Sequence, residues 1–268
     1  MCSSDLSFIN PHDICFAYNA RQPNRKGKPL VDRLYREAQA LPADQLPPLP
    51  DNSAVPKREP NAIEANMKEI SVTPAKLIRK DYNNRDWRNY RWIYCRLTER
   101  VDAQIGRLVT FLQDTGCYDN TLIVFTSDHG EMLGDHWQLA KFSYFDQTFH
   151  VPLIVRDPRP EATPWHGRVI DAFTENVDVM PTIVDWLGLE VPSTCDGESL
   201  LGFCRSEESI PWRTAAHFAL DFRFFRDDDG GIIGLKADQC AFAALRDERY
   251  KYVHFTALPP LFFDLGED

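Results

Sequence analysis

A short apolar run followed by a polar motif constrains this chain more than any other feature. Residues 121–126 read Thr-Leu-Ile-Val-Phe-Thr, which is rich in β-branched residues and apolar on consecutive positions. Such a run is typical of a strand buried on both faces. The next five residues, 127–131, are Ser-Asp-His-Gly-Glu. Because ligands bind beyond the carboxyl ends of strands in open α/β sheets, the pattern predicts a core strand whose end carries chemistry.

The segments around this run predict an α/β layer protein. Apolar residues recur at helical spacing over residues 86–113, which predicts a long amphipathic helix. A second apolar run at residues 151–155 predicts another strand, and residues 177–187 predict a helix with Pro181 in its early part. This order of helices and strands is typical of a largely parallel central sheet flanked by helices.

The two ends of the chain have a different character. Residues 7–9 are a candidate short strand, and residues 19–62 are polar and rich in proline, which predicts an irregular insertion with a helix over 32–40. After about residue 190, short runs at 215–219, 241–245 and 250–255, with a turn at 227–231, predict a small antiparallel sheet. We therefore expect an α/β domain over 7–190 and a small subdomain over 191–268.

Composition excludes several classes of partner. The chain has 268 residues, with 30 Lys and Arg against 40 Asp and Glu, for a net charge of −10. This balance argues against nucleic acid or an anionic membrane surface as the main partner. The sequence contains no apolar run near the roughly 20 residues of a membrane span. Its seven scattered cysteines form no C-x-x-C pair, so we expect neither a disulfide framework nor a zinc-thiolate site.

The polar motif contains candidate metal and anion ligands. Asp128 and His129 supply a carboxylate oxygen and an imidazole nitrogen at one point, which is half of a divalent-metal site. Lys141, twelve residues after His129, could pair with an anionic group of a substrate. The residues alone leave two alternatives open, a turn with a surface histidine and an ordinary solvated lysine.

Residues 121–141 resemble a known motif. The stretch T-L-I-V-F-T-S-D-H-G-E-M-L-G-D-H-W-Q-L-A-K resembles the second metal-binding motif of the sulfatase branch of the alkaline phosphatase superfamily. Two later stretches resemble phosphonate monoester hydrolases within that branch: F-D-Q-T-F-H-V-P-L-I-V-R-D-P and D-E-R-Y-K-Y-V-H-F-T-A-L-P-P-L-F-F-D-L. Residues 1–60 are more similar to the sulfatases. The resemblance covers nearly all of residues 7–268.

The resemblance implies a hydrolase of sulfate, phosphonate or phosphate esters. It implies one divalent metal ion held by Asp128 and His129, with calcium or manganese favoured and magnesium or zinc left open. Lys141 would contact the anionic group of a small ester substrate, and His12, in an F-x-x-P-H pattern, would contact the leaving group. His136 is interpreted as a histidine that supports the site from behind. A homo-oligomer is left open.

Two features of the family are not found among the cysteines or the opening residues of this sequence. Its formylglycine nucleophile arises from Cys or Ser in a C-x-P-x-R or S-x-P-x-R context, and none of the seven cysteines lies in one. The paired aspartates that open these enzymes are also missing. We therefore expect the C-terminal half of a longer enzyme, with a truncated C-terminal subdomain and no activity of its own. The alternative is a catalytically inactive sulfatase-like binding or structural module. The cytoplasm is favoured, and the periplasm stays open because the true N-terminus is expected to be missing.

Overall fold

The computed structural model describes residues 4–22, 27–55, 59–60, 75–141, 143–206, 210–222 and 235–267. The chain divides into two compact units, residues 1–111 with 131–143, and residues 112–130 with 144–268. The boundary passes through the polar motif, between Gly130 and Glu131. The domain division at residue 190 stays a prediction.

The first unit is mainly helical. Its α-helices are α1 (Ala17–Arg21), α2 (Pro29–Ala40), α3 (Ala75–Asp81) and the greater part of α4 (Asn84–Asp114). Its described residues also form 3-10 helices at His12–Phe16, Ala43–Gln45 and Asp135–Trp137. Strands β2 (Met132–Leu133) and β3 (Leu139–Ala140) form a short antiparallel hairpin.

Helix α4 confirms the helix predicted over 86–113. Asn83 caps its start, because its side-chain oxygen accepts the amides of Arg85 and Asp86 at 2.8 and 3.1 Å, and Asp86 accepts the Asn83 amide in return. Gly116 ends the helix with φ of 68°, a left-handed conformation that glycine adopts without a steric cost. The buried face is concentrated in the first half of the helix, at Trp87, Asn89, Tyr90, Ile93 and Leu97.

The proline-rich segment is less irregular than predicted. The helix predicted over 32–40 begins three residues earlier, because Pro29 occupies the first helical turn, where its missing amide hydrogen costs nothing. Residues 23–26, 56–58 and 61–62 of the predicted 19–62 insertion lie outside the described residues. The strand predicted at 7–9 was wrong. These residues are exposed, with Ile9 75% accessible, and the described structure gives them no partner strand.

The second unit contains the strand that was predicted at 121–126. It is observed as β1 (Ile123–Thr126), and it pairs with β4 (Leu153–Arg156), which was predicted at 151–155. The pairing is antiparallel, whereas a largely parallel sheet was predicted. The described part of the connection contains turns, the β2–β3 hairpin and the four-residue helix α5 (Asp146–Phe149), rather than a crossover helix of the length that parallel pairing requires. Because β1 has one described neighbour, its residues are half-buried and Thr126 is exposed, so burial on both faces was wrong for the described structure.

The remaining helices of the second unit are short. The helix predicted over 177–187 is a 3-10 turn at Asn176–Asp178 that continues as α6 (Val179–Trp186), and α7 follows at Leu201–Arg205. Further 3-10 turns lie at Tyr118–Asn120, Pro160–Trp165 and Ala237–Gln239. In the part of the chain that the structure describes, every helix is too short or too polar to cross a membrane.

The predicted small antiparallel sheet is confirmed. Its four strands occur in the order β5 (Ala216–Asp221), β6 (Ala241–Arg246), β7 (Tyr250–Phe255) and β8 (Leu261–Asp264), each antiparallel to the next. Strand β7 alternates strictly, with Lys251, Val253 and Phe255 buried. Rings of Tyr144, Phe242 and Phe255 pack edge to face at 5.6–6.3 Å beside it. The turn predicted at 227–231 lies outside the described residues. The chain is therefore an α/β protein, and the largely parallel central sheet stays a prediction.

Candidate functional site

The end of β1 is anchored by a neighbouring 3-10 turn. The Asn176 side chain donates to the Ser127 carbonyl at 2.8 Å and accepts the Thr126 hydroxyl at 2.9 Å. The Ser127 hydroxyl donates to the His129 carbonyl at 2.9 Å. Since these bonds involve two successive residues of the loop, they fix the point at which the chain leaves the strand.

Gly130 holds the other side of this loop. Its amide donates to the Thr148 carbonyl at 2.8 Å. A Cβ added at Gly130 would lie 2.1 Å from the Gln147 carbonyl oxygen, well inside van der Waals contact. Only glycine allows the backbone to approach α5 this closely.

Asp128 and His129 lie together in this loop, as predicted. Asp128 Oδ2 is 3.4 Å from His129 Nε2, and the two side chains are 84% and 30% exposed. The His129 amide donates to Asp128 Oδ1 at 3.0 Å, which orients the carboxylate. His129 Nδ1 lies 2.8 Å from the Gly130 carbonyl, an acceptor, so Nδ1 carries a proton and donates. In the neutral ring Nε2 is then the nitrogen that offers its electron pair.

The spacing of the two donor atoms suits a divalent cation. Two electron-pair donors at 3.4 Å repel each other unless a proton or a cation lies between them. Ligands bound at about 2.3 Å in adjacent positions of an octahedral shell lie about 3.3 Å apart. Among the residues with described positions, no group of three or more His, Cys, Asp or Glu side chains could hold a metal ion. The metal role of Asp128 and His129 stays a prediction.

Lys141 follows the β2–β3 hairpin of the first unit. The residue before it, Ala140, donates its amide to Glu131 Oε1 at 2.8 Å, and the Tyr90 hydroxyl donates to the same oxygen at 3.0 Å. Burial raises the pKa of Glu131 to about 7, although both hydrogen bonds and the Lys141 charge oppose that rise.

Cys15 lies in the same neighbourhood. Burial first, and then the charges of Asp13 and Glu131, raise the pKa of its thiol to about 11, while the charges of Lys28 and Lys141 oppose this. A thiol with so high a pKa is almost entirely protonated at neutral pH and is a poor nucleophile. The Lys141 ammonium is thus close enough to affect both Cys15 and Glu131.

The two other predicted histidines also belong to the first unit. His12 is exposed at the start of the 3-10 helix His12–Phe16, and its amide donates to the Ile9 carbonyl at 3.0 Å. His136 has a left-handed backbone with φ of 49°. Its amide donates to the Asn52 carbonyl at 2.8 Å, and its Nε2 lies 3.4 Å from Asn52 Nδ2.

The structure thus brings Asp128 and His129 together in the second unit, whereas His12, His136 and Lys141 belong to the first. The functional roles of all five residues stay predictions. Sequence reasoning assigned no role to Glu131 or Tyr90. The available signals were a carboxylate directly before the apolar pair Met132–Leu133, and a tyrosine on the apolar face of α4.

A family model for sulfatases matches residues 6–189. The chain belongs to the sulfatase family. A second model, for the C-terminal part of N-sulphoglucosamine sulphohydrolase, matches residues 134–268. The resemblance to the sulfatase branch of the alkaline phosphatase superfamily, which was drawn from residues 121–141 and the later stretches, is confirmed.

The similar proteins include phosphonate monoester hydrolases. The chain is 46% identical over 182 residues to the multifunctional alkaline phosphatase superfamily protein PehA of Trinickia caryophylli. The matched region covers 68% of this chain and 35% of that protein. It superposes on the phosphonate monoester hydrolase of Agrobacterium radiobacter with a TM-score of 0.65 and 43% identity, over 70% of this chain and 37% of that one.

The phosphonate monoester hydrolase from Silicibacter pomeroyi is similar over a longer stretch, 92% of this chain and 48% of that one, with a TM-score of 0.69 and 31% identity. The chain thus spans between about a third and a half of the length of these relatives.

Proposed function

We propose that this chain is part of a metal-dependent hydrolase of sulfate, phosphonate or phosphate esters. The observation that carries the proposal is the Asp128–His129 pair at the end of β1, with two donor atoms 3.4 Å apart. Membership of the sulfatase family and similarity to phosphonate monoester hydrolases supply the class of substrate, a small anionic ester.

Asp128 and His129 would bind one divalent cation through Oδ2 and Nε2. The resemblance to the sulfatase branch favours calcium or manganese, and a carboxylate oxygen with an imidazole nitrogen leaves magnesium or zinc open. When bound, such an ion polarises a nonbridging oxygen of the ester and orients the nucleophile. Further metal ligands and the nucleophile would come from a segment that corresponds to the part of the longer relatives that this chain does not match.

Lys141 and His12 would act on the ester itself. The Lys141 ammonium would stabilise negative charge that develops on the transferring group. His12 would donate a hydrogen bond or a proton to the departing oxygen. His136 would hold the hairpin through its contacts with Asn52 rather than touch substrate.

The alternative, a catalytically inactive binding or structural module, is less favoured. A module would have no need of Lys141 and His12 in addition to the Asp128–His129 pair, and the relatives named above carry the names of hydrolases or of their superfamily. The expected lack of turnover by the chain on its own stays a prediction.

The metal pair can be tested on the chain itself with Mn²⁺, a paramagnetic ion. In amide NMR spectra we expect low Mn²⁺ concentrations to broaden the signals of residues 127–130 before others. The Asp128→Asn variant removes the carboxylate charge but keeps the side-chain size, so it should abolish this selective broadening.

Asp119→Asn is the matched control for this experiment. Asp119 lies in the same unit and is 94% exposed, but its carboxylate approaches Arg156 rather than a histidine. We expect this variant to keep the broadening at 127–130. Broadening that survives in Asp128→Asn, or that centres on another acidic loop, would refute the proposed metal pair.

A further inference from the structure

The Glu131 carboxylate connects helix α4 to the β2–β3 hairpin. Its Oε1 accepts the Tyr90 hydroxyl at 3.0 Å and the Ala140 amide at 2.8 Å. Tyr90 is 2% exposed, and its ring packs edge to face on Trp87 with centroids 5.7 Å apart. Because the ring is fixed in the core, its hydroxyl holds the carboxylate at one position.

Ala140, whose amide donates to this carboxylate, has an unusual backbone conformation. Ala140 has φ of 67°, in the left-handed region that residues with a Cβ rarely adopt. Such a conformation costs free energy and persists only where the surroundings impose it. The bond from its amide to Glu131 is one such constraint, and it acts on the residue directly before Lys141.

We infer that Tyr90 and Glu131 are positioning residues that fix the left-handed turn at Ala140 and thereby aim the Lys141 side chain. The inference rests on the role proposed above for Lys141. The carboxylate needs only to accept hydrogen bonds here, and a neutral amide oxygen in its place could accept the same two.

A merely structural role for Glu131 has different consequences. If the carboxylate only satisfied buried donors, its removal would loosen α4 and the hairpin together and would leave the Lys141 side chain in its native surroundings. If it positions Lys141, the change should be concentrated at Ala140 and Lys141.

Two measurements on the full chain separate these cases. The first is native-state hydrogen exchange of the Ala140 amide. The second is the NMR signal of the Lys141 side chain in protein labelled with ¹³C at lysine Cε, assigned with Lys141→Arg. The variants are Glu131→Ala, Glu131→Gln and Tyr90→Phe.

We expect Glu131→Ala to speed Ala140 exchange about tenfold or more, because it removes the hydrogen bond that the Ala140 amide donates. The Lys141 signal should move toward that of an exposed lysine. In Glu131→Gln the exchange rate of the Ala140 amide should stay within about twofold of wild type, since this variant keeps an acceptor oxygen. The variant therefore separates the effect of losing the hydrogen bond from the effect of losing the charge. Tyr90→Phe should fall between the two.

Tyr94→Phe is the matched control, one turn further along α4. Burial, and then the Glu131 charge, raise the pKa of Tyr94 to about 12, so its ring lies near the carboxylate, yet the Glu131 hydrogen bonds described above go to Tyr90 and Ala140. This variant should leave both measurements unchanged.

The inference is wrong if Glu131→Ala leaves Ala140 exchange and the Lys141 signal as in wild type, or if exchange rises equally throughout α4 and the hairpin. If Glu131→Ala does not fold, Tyr90→Phe decides, and no change in either measurement refutes the inference. Neither readout depends on turnover. Failure of the proposed function would appear separately, as loss of the Mn²⁺ effect at residues 127–130.

Discussion

At the scale of single residues, the conformation of the loop at residues 127–130 depends on a glycine. Asp128 and His129 can present Oδ2 and Nε2 at 3.4 Å only because the loop closes tightly against α5. Gly130 makes that closure possible, with its missing Cβ pointing at the Gln147 carbonyl. The glycines of the motif could be predicted to form a turn, but the contact with Gln147 could not, since it joins residues seventeen positions apart.

We therefore predict that Gly130→Ala destabilises the protein and displaces the loop. The added methyl group would lie 2.1 Å from a backbone oxygen, so the backbone must shift, at a cost of about 1–3 kcal/mol. Urea unfolding measures this cost. Gly106→Ala is the control, because an added Cβ meets nothing within 4 Å in the interior of α4, and alanine there should stabilise by about 0.5–1 kcal/mol. Equal stabilities of the two variants would contradict the prediction.

At the scale of elements, the periodicity of apolar residues predicted the helices and strands that form from neighbouring residues. Helix α4 and strands β6 and β7 follow from periodicities of 3.6 and 2 in neighbouring residues, and they are observed within a residue or two. The left-handed turn at Ala140 has no such signal, since alanine does not favour it. It depends on Glu131 and, through it, on Tyr90, fifty residues earlier in the chain.

One residue on the buried face of β7 is charged, although apolar residues are expected on such a face. Lys251 lies on the buried face with its side chain 4% exposed, between the rings of Phe145 and Phe263. Its ammonium lies 3.1 Å from Asp146 Oδ1, and Arg246 contacts the other oxygen of that carboxylate. The sequence shows a lysine in a strand, but the acidic partner comes from α5, more than a hundred residues earlier.

We predict that Asp146→Asn lowers the free energy of unfolding by about 2–3 kcal/mol. Leaving a buried charge without its partner costs about 3–5 kcal/mol. We expect a smaller loss of stability here because Asp146 is partly exposed. Asp264→Asn is the control, since its partner Arg249 is 66% exposed and the loss should stay below about 1 kcal/mol. Adding Lys251→Met to Asp146→Asn should recover part of the stability, and a strictly additive double variant would argue against the pair.

At the scale of the whole molecule, the α/β class and the C-terminal sheet could be predicted, but the pairing of the central strands could not. Strand direction depends on how the chain returns, and the described part of the connection from β1 to β4 consists of short elements. No periodicity in the sequence predicts the path of these elements. The proximity of the Asp128 and His129 side chains was predictable for the opposite reason. Asp128 and His129 are adjacent in sequence, so a single loop brings their donor atoms together.

Two buried aspartates cross-link distant segments of the second unit. Asp157 accepts Arg205 Nε at 2.7 Å and the Trp186 indole at 2.9 Å. Asp178 accepts both terminal nitrogens of Arg213, at 2.5 and 2.6 Å. Burial alone would raise the pKa of each carboxyl, but these hydrogen bonds and the arginine charges hold both pKa values below the ordinary one.

This arrangement predicts acid sensitivity with a definite sign. A carboxyl whose pKa is lower in the folded state stabilises the protein fully above the unfolded pKa of about 3.9, and this contribution is lost as pH falls through the folded value. We therefore expect the free energy of unfolding to decrease as the pH falls below about 5, by up to about 1.4 kcal/mol per pH unit for each carboxyl.

Urea unfolding between pH 7 and pH 3 measures the slope of the free energy of unfolding against pH. Asp178→Asn, or Asp157→Asn if the first does not fold, should reduce this slope by up to the contribution of one carboxyl. A slope equal to that of the wild type would show that the acid sensitivity arises elsewhere.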